Sequence, residues 1–465
     1  IHFGLHFVLI LNNSKFMVSL TSEKTGWLNR YLSYRAKTPF VLSEQYRNLN
    51  NDNSSEEILD DCLYIEVKEN GILLGCPVIS ESLTEIAEKL DFPQQRGGTI
   101  LLYLETLFSV AMIENQILTL AFNNDSSDSY QLRLLNILML VLKYHFPHSY
   151  YRIPKEIQLT KLLEQNESLN GVLLQLEEKL INDVTLPGYS SLGNRQNIFA
   201  FSKLYFFLLW AKENVRNESS APNKYIEMDK QLRIEMIISF AALIWADDHV
   251  ASEEQQVFKK YIEQTGLEEP IQNELGRRIL EPVKTADVTF SFSHSSVSRY
   301  LVEQLILLSL IDNQEAWQER ELIENISQKL GFSSDELEKL YFTVAEFFSV
   351  HGERLEFLKN NTAAKQFQDY MNDKVFFLVK KNVGNIMKEI EETKELSELL
   401  VKATTTTLTI EEKQKVQDQL MDVAKTIPAL AIFALPGGGI LLPILIKVLP
   451  FNILPSSFQE EPASR

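Results

Sequence analysis

The chain has 465 residues, of which 45% are hydrophobic and 23% charged, with a formal net charge of -18. That is enough apolar material for about two or three globular domains and too much for a disordered chain. A field of that sign repels phosphate backbones, so nucleic acid is not an expected partner, and a flat anionic membrane surface is not the main attraction. Along the chain, the first sixteen residues read as an over-extended frame ahead of Met17, without the basic region or cleavage site of a signal peptide. Cys62 and Cys76 lie in no metal-like or redox pair and fit two half-buried thiols in a reducing compartment. "YRNLNNDNSSEEILDD" is a polar loop, and "CLYIEVKENGILLGCPV" places β-rich runs on either side of Asn70-Gly71, which predicts a hairpin. Leu101–Ile113 and Leu132–Tyr144 are apolar, punctuated by Glu105 and Arg133, and too short to span a bilayer; they predict core helices.

From Pro154 onward the periodicity is helical. Leu169, Val172, Leu173, Leu176 and Leu180 form an amphipathic stripe. "NIFAFSKLYFFLLWAKENV" is apolar around most of its circumference and predicts a buried helix, and "VRNESSAPNKY" is a polar break suited to a domain boundary. Between residues 236 and 340 the chain repeats itself without a gap. Asp247 falls on Asp312, Glu254 on Glu319, Phe258 on Ile323, Gly266 on Gly331 and Leu267 on Phe332. Each copy reads as apolar helix, acidic turn, amphipathic helix and a glycine stop in the left-handed conformation.

That pattern resembles the TerB-like (tellurite-resistance) helical domain over roughly residues 225–345, with Asp247-Asp248 and Asp312-Asn313 where that family has Asp-Gly. The resemblance implies that Asp247, Glu254, Asp312 and Glu319 line one acidic cluster able to hold a hard divalent cation, Ca²⁺ or Mg²⁺. The same residues also fit a simpler role. Ser252 and Gln255 form a capping box, and acids in a first helical turn are favoured by the helix dipole without any metal. No other cofactor is expected.

Toward the end, four threonines break a helix, and Thr409 with Glu412 forms a second capping box. The new helix carries Val416, Leu420, Val423 and Ile427 into twenty uncharged residues, Ile427–Ile446. Twenty helical residues measure about 30 Å, one hydrocarbon thickness, and Lys425 and Lys447 bracket them. Pro428, Pro436, Gly437, Gly438, Gly439, Pro443 and Pro450 mark a span that is kinked, re-entrant or packed on partners, since each internal proline frees a carbonyl. A buried hairpin turning at the glycines is the soluble alternative.

The frame Leu408, Thr409, Glu412, then Ile427, Pro428, Phe433, Pro436, then Leu441, Leu442, Pro443, Ile446, Lys447, Leu449, Pro450, then Leu454–Phe458 resembles the Letm family of inner-membrane proteins. The resemblance implies a transmembrane helix, cation/proton exchange or membrane organisation, and a ribosome-binding domain following the last motif. Because the sequence ends at Arg465, where the family goes on with that domain, and the charge is -18, a ribosome is not the expected partner. A Letm-like end joined to a TerB-like region also resembles bacterial Letm-related proteins described as biofilm-associated.

No nucleotide loop, zinc-protease or nucleophile-elbow motif occurs, and His145 and His148 read as a structural pair, so no enzyme activity is expected. The expected fold is mainly α, a multi-helical cytoplasmic region with a small mixed α/β N-terminal part and a C-terminal transmembrane helix. Its parts are 17–150 (mixed α/β), 151–222 (helical), 225–345 (TerB-like), 346–403 (helical connector) and 404–465 (membrane segment, span about 427–449). The expected role is a partner- or cation-binding domain anchored in the inner membrane. Lys413, Lys415 and Lys425 before the run, against Lys447 and Arg465 after it, put the bulk of the chain on the cytoplasmic side. The rivals are a subunit of a cation/proton exchanger and a soluble TerB-like stress-response protein.

Overall fold

The structure is a computed structural model that describes residues 25–40, 70–75, 77–93, 97–121, 130–146, 167–184, 197–216, 221–247, 252–278, 280–284, 287–291, 295–309, 317–351 and 383–406. It also describes single positions between 60 and 67, at 250 and 380, and between 408 and 423. Fourteen helices and no strand occur among these residues. The chain divides into two compact units, one of residues 1–190, 194–237 and 259–277, the other of 191–193, 238–258 and 278–465.

The first unit begins with α1 (Trp27–Lys37), α2 (Glu81–Lys89), α3 (Gly97–Ala121), α4 (Tyr130–His145), α5 (Glu167–Val184) and α6 (Ala200–Arg216). The two apolar stretches become α3 and α4, core helices as their sequences require. Helix α3 packs on α2, α4, α5 and α6, and Ile100, Leu101, Val110, Leu134 and Leu138 are fully buried. An all-round apolar helix has to be enclosed. Glu105 interrupts this surface, and Arg35 of α1 answers it: its Nε donates to the Glu105 carboxylate at 2.8 Å, while the guanidinium lies 4.1 Å from the centre of the Phe40 ring. The α5 stripe is also as the spacing predicts, with Leu169, Leu173, Leu176 and Leu180 buried and Val172 half-buried.

Helix α1 starts at Gly26, which has no side chain to cap the free N–H groups of the first turn. Glu177, buried on α5, does so from far along the chain: the Gly26 and Leu28 N–H groups donate to its two oxygens at 2.9 and 2.8 Å. Burial pushes this carboxyl up from its ordinary value, while the two N–H donors and Arg30 pull it back. Glu177→Ala leaves a buried donor, the Leu28 N–H, and a half-buried one, the Gly26 N–H, without an acceptor. It should cost about 1–3 kcal/mol in urea unfolding and release α1 to hydrogen exchange first; unchanged protection of α1 would show that the cap does not hold it.

The hairpin predicted for residues 62–78 is not formed, and with it the mixed α/β N-terminal part is corrected. Residues 63, 66 and 67 are helical, and 70–75 are successive turns. The Asn70 amide donates to the Glu66 carbonyl and to Thr106 Oγ1 of α3, and its oxygen accepts from the Ile72 N–H. The Asn-Gly signal correctly marks a turn. The apolar residues after it, Ile72, Leu73 and Leu74, are buried as part of that turn, and no strand forms for them to extend.

Helices α7 (Asn223–Ile244), α8 (Ser252–Thr265) and α9 (Glu269–Arg278) form the first copy of the repeat, and α10 (Ser295–Leu308), α11 (Trp317–Lys329) and α12 (Ser334–His351) the second. The register predicted from the acidic turns holds across both and extends beyond them. Ser252 falls on Trp317 at the second helix start, Glu269 on Ser334 at the third, and buried Leu275 on buried Leu340. Gly266 and Gly331 have φ of +60° and +87°, the left-handed conformation predicted for both. After Gly331 the stop is a full Schellman motif: the Gly331 N–H donates to the Gln328 carbonyl and the Phe332 N–H to the Ser327 carbonyl. After Gly266 the Thr265 hydroxyl relays the second bond, accepting from the Leu267 N–H and donating to the Ile262 carbonyl.

In the second unit α10 packs on α11 and α12, and every residue from Tyr300 to Ser309 is buried. Helices α13 (Val383–Glu392) and α14 (Lys394–Thr405) pack on each other through Ile386, Ile390, Leu396 and Leu400. No helix among the described residues is long and apolar enough to cross a membrane. The expected transmembrane helix, at about 427–449, lies outside the described residues, as do the Asn-rich loop apart from Asp60, both cysteines and His148.

Candidate functional site

The four acids predicted to share a cation fall as follows. Asp247 is exposed in the turn after α7; Glu254 is half-buried as the third residue of α8; Glu319 is buried as the third residue of α11; Asp312 lies outside the described residues. Among the described residues no group of three or more His, Cys, Asp or Glu side chains is arranged to hold a metal. Glu254 and Glu319 occupy equivalent first-turn positions, where the positive end of the helix dipole favours a carboxylate.

A shallow groove of about 140 Å³ lies on the second unit between α11 and α12, where Arg320 sits 5.4 Å from the centre of the Tyr341 ring and 3.8 Å from Glu324. Its lining mixes both charge signs and holds no nucleophile-base pair.

The most organised feature near the end of the chain is the junction where α14 hands over to the next helix. The threonine break is as predicted: α14 stops at Thr405, and Thr406 is extended, with φ -141° and ψ 157°. Leu408 is buried, and the capping box at Thr409 is complete. The Thr409 N–H donates to the Glu412 carboxylate at 2.9 Å, and the Glu412 N–H donates to Thr409 Oγ1 at 3.2 Å. Residues 411, 412, 415, 416, 418, 419 and 423 are helical, and Val416 and Val423 are buried as the apolar spacing requires. The new helix is tied back to α14 by polar contacts. Lys402 of α14 donates to Glu412 at 2.5 Å, and Glu395 accepts from Lys415 at 2.7 Å and from the Gln419 amide at 2.9 Å. The Lys415 bond, then the Gln419 bond, holds the Glu395 carboxyl below its ordinary range; Lys402, then the Thr409 N–H, does the same for Glu412; and Glu395 raises the Lys415 ammonium. These groups are exposed, so the ties set direction more than they add stability, and salt weakens them.

Residues 408–465 match the family model described as LETM1-like, RBD. The match begins at Leu408, the first buried residue after the threonine break. The LETM1-like stretch therefore starts as a separately capped helix, held to α14 by side-chain ties. It contains Pro428, Pro436, Gly437, Gly438, Gly439, Pro443, Lys447 and Pro450, all predicted for a membrane segment and all outside the described residues. The RBD match begins well ahead of the Leu454–Phe458 motif and runs through it, whereas the sequence places the ribosome-binding part only behind that motif. No curated protein and no solved structure matches the chain.

Two buried features were missed from sequence. One is the cap that Glu177 supplies to α1. The other is Glu303 on α10, which is fully buried with no hydrogen-bond partner for either oxygen. The repeat register places it opposite Ile238. That exchange of an apolar residue for an acid is the one signal in the sequence that marks it.

Proposed function

We propose that this is a membrane-anchored, Letm-related protein whose uncharged run inserts in the inner membrane and whose helical units face the cytoplasm and bind protein partners. The observation that carries the reading is the LETM1-like match over residues 408–465, which encloses all twenty uncharged residues of Ile427–Ile446. The capped helix beginning at Thr409 supports it, because it gives the run a defined point of departure. A membrane-organising role, the biofilm-associated type included, suits such an anchor. The TerB-like resemblance and cation binding by Asp247, Glu254, Asp312 and Glu319 stand as finer proposals within this reading. A part in cation/proton exchange is weaker, since the run has no ionisable residue before Lys447 and one such helix offers no polar path through a bilayer.

The RBD label favours a second reading, in which the same stretch docks on a ribosome. The chain's charge of -18 opposes contact with ribosomal RNA, but residues 408–465 carry six acidic and five basic side chains and are nearly neutral. Flotation of the full chain with lipid vesicles, set against co-sedimentation with ribosomes, separates the two. Flotation without ribosome binding is expected; ribosome binding without flotation would replace the membrane reading.

A further inference from the structure

Glu303 lies in the centre of α10, a helix buried at every position from Tyr300 to Ser309 and packed on α11 and α12. Its exposure is 0%, and neither carboxyl oxygen has a hydrogen-bond partner. A buried carboxylate in that state loses its hydration and gains nothing in return, so the group is tolerated only as the neutral acid. The charge that acts on it is Arg299, one turn earlier on the same helix, and burial outweighs that attraction. Among the residues of the two helices packed against α10 whose burial is described, the buried titratable ones are Glu319 of α11 and Tyr341 of α12, with Arg320, Glu338 and Lys339 half-buried. In the first copy of the repeat Ile238 stands at this position, so the helical unit itself does not require an acid there.

We propose that Glu303 makes the packing of α10 on α11 and α12 depend on a proton: the neutral acid is accommodated, and its loss expels the side chain and loosens the three helices from one another. The group then acts as a switch at the mildly alkaline end of the physiological range.

The direction follows from linkage. Burial raises the folded value from 4.5 to about 8. The stability held by the bound proton is complete below 4.5, declines as the pH rises and is gone above about 8, because the unfolded chain releases the proton first. Hydrogen exchange on the full-length protein in detergent micelles tests this, with residues 200–216 of α6 as the internal control. After correction for intrinsic exchange, the opening constant of residues 295–308 should rise close to tenfold per pH unit between 4.5 and 8, and α6 should not follow. Glu303→Gln should abolish the slope. An equal slope in wild type and Glu303→Gln would overturn the proposal. Should that variant fail to fold, Glu303→Ile, which copies the first repeat, takes its place. The infrared band of a protonated carboxylic acid supplies an independent readout: it should be present in the wild type at neutral pH and absent from either variant, and a wild type without it would also overturn the proposal.

Discussion

Deleting residues 427–465 should move the protein from the carbonate-resistant membrane pellet to the supernatant. The run Ile427–Ile446 contains eleven Leu, Ile and Phe residues and no charge. At about -0.3 to -0.6 kcal/mol each near the centre of a bilayer, they favour insertion by roughly 5 kcal/mol before the prolines and glycines are counted against them. The prolines and glycines reduce that margin, which leaves it small enough for one charge to matter. Leu441→Arg, at about +2.5–3.5 kcal/mol, should turn stable residence into a salt- and carbonate-sensitive association. Because the helix that leads into the run has its own capping box and its own ties to α14, the shortened chain should keep the circular-dichroism spectrum of a mainly helical protein. Full-length protein recovered as a detergent-free soluble monomer would sink the anchor and leave the buried hairpin in its place.

The largest single-residue loss of stability is expected from Asp229→Ala. Asp229 and Arg233 lie one turn apart on α7, and both are buried. Asp229 accepts from the Ser202 hydroxyl of α6 at 2.8 Å and from Arg233 Nη2, while Arg233 Nη1 donates to the Thr265 carbonyl at the end of α8. One ion pair thus joins α6 to α7 and supplies a cation to the C-terminus of α8, where the dipole favours it. Removing the acid strands a buried guanidinium, which costs about 3–5 kcal/mol, whereas replacing both partners with apolar residues is often close to neutral. Asp229→Ala should therefore lower the urea midpoint sharply, and Asp229→Leu combined with Arg233→Met should recover most of the loss. A small effect for the single change would mean that water reaches the guanidinium and the clamp is not closed.

These contacts separate what can be read along the chain from what cannot. Features whose partners lie within one helical turn were legible: the stripe on α5, the left-handed stops at Gly266 and Gly331, the capping box of Thr409 and Glu412, and the repeat that carries two of them. Each is a local contract between backbone and side chain, enforced wherever the helix forms. The β-rich residues after Asn70 were misread because strand formation needs a partner strand, and the surrounding helices supply none; the Asn70 side chain instead binds Glu66 and Thr106. The outcomes that joined distant positions had no local signature. Glu177 caps a helix 149 residues earlier in the chain, Arg35 neutralises Glu105 across 70, and Arg233 reaches a carbonyl 32 residues away. The sequence by itself determined the apolar stripe, the local caps and the repeat, because those follow from spacing. Whether a given ionisable group was paired, as Asp229 is, or left without a partner in the core, as Glu303 is, was decided only by tertiary packing, because burial sets the dielectric and packing decides which donors come within reach.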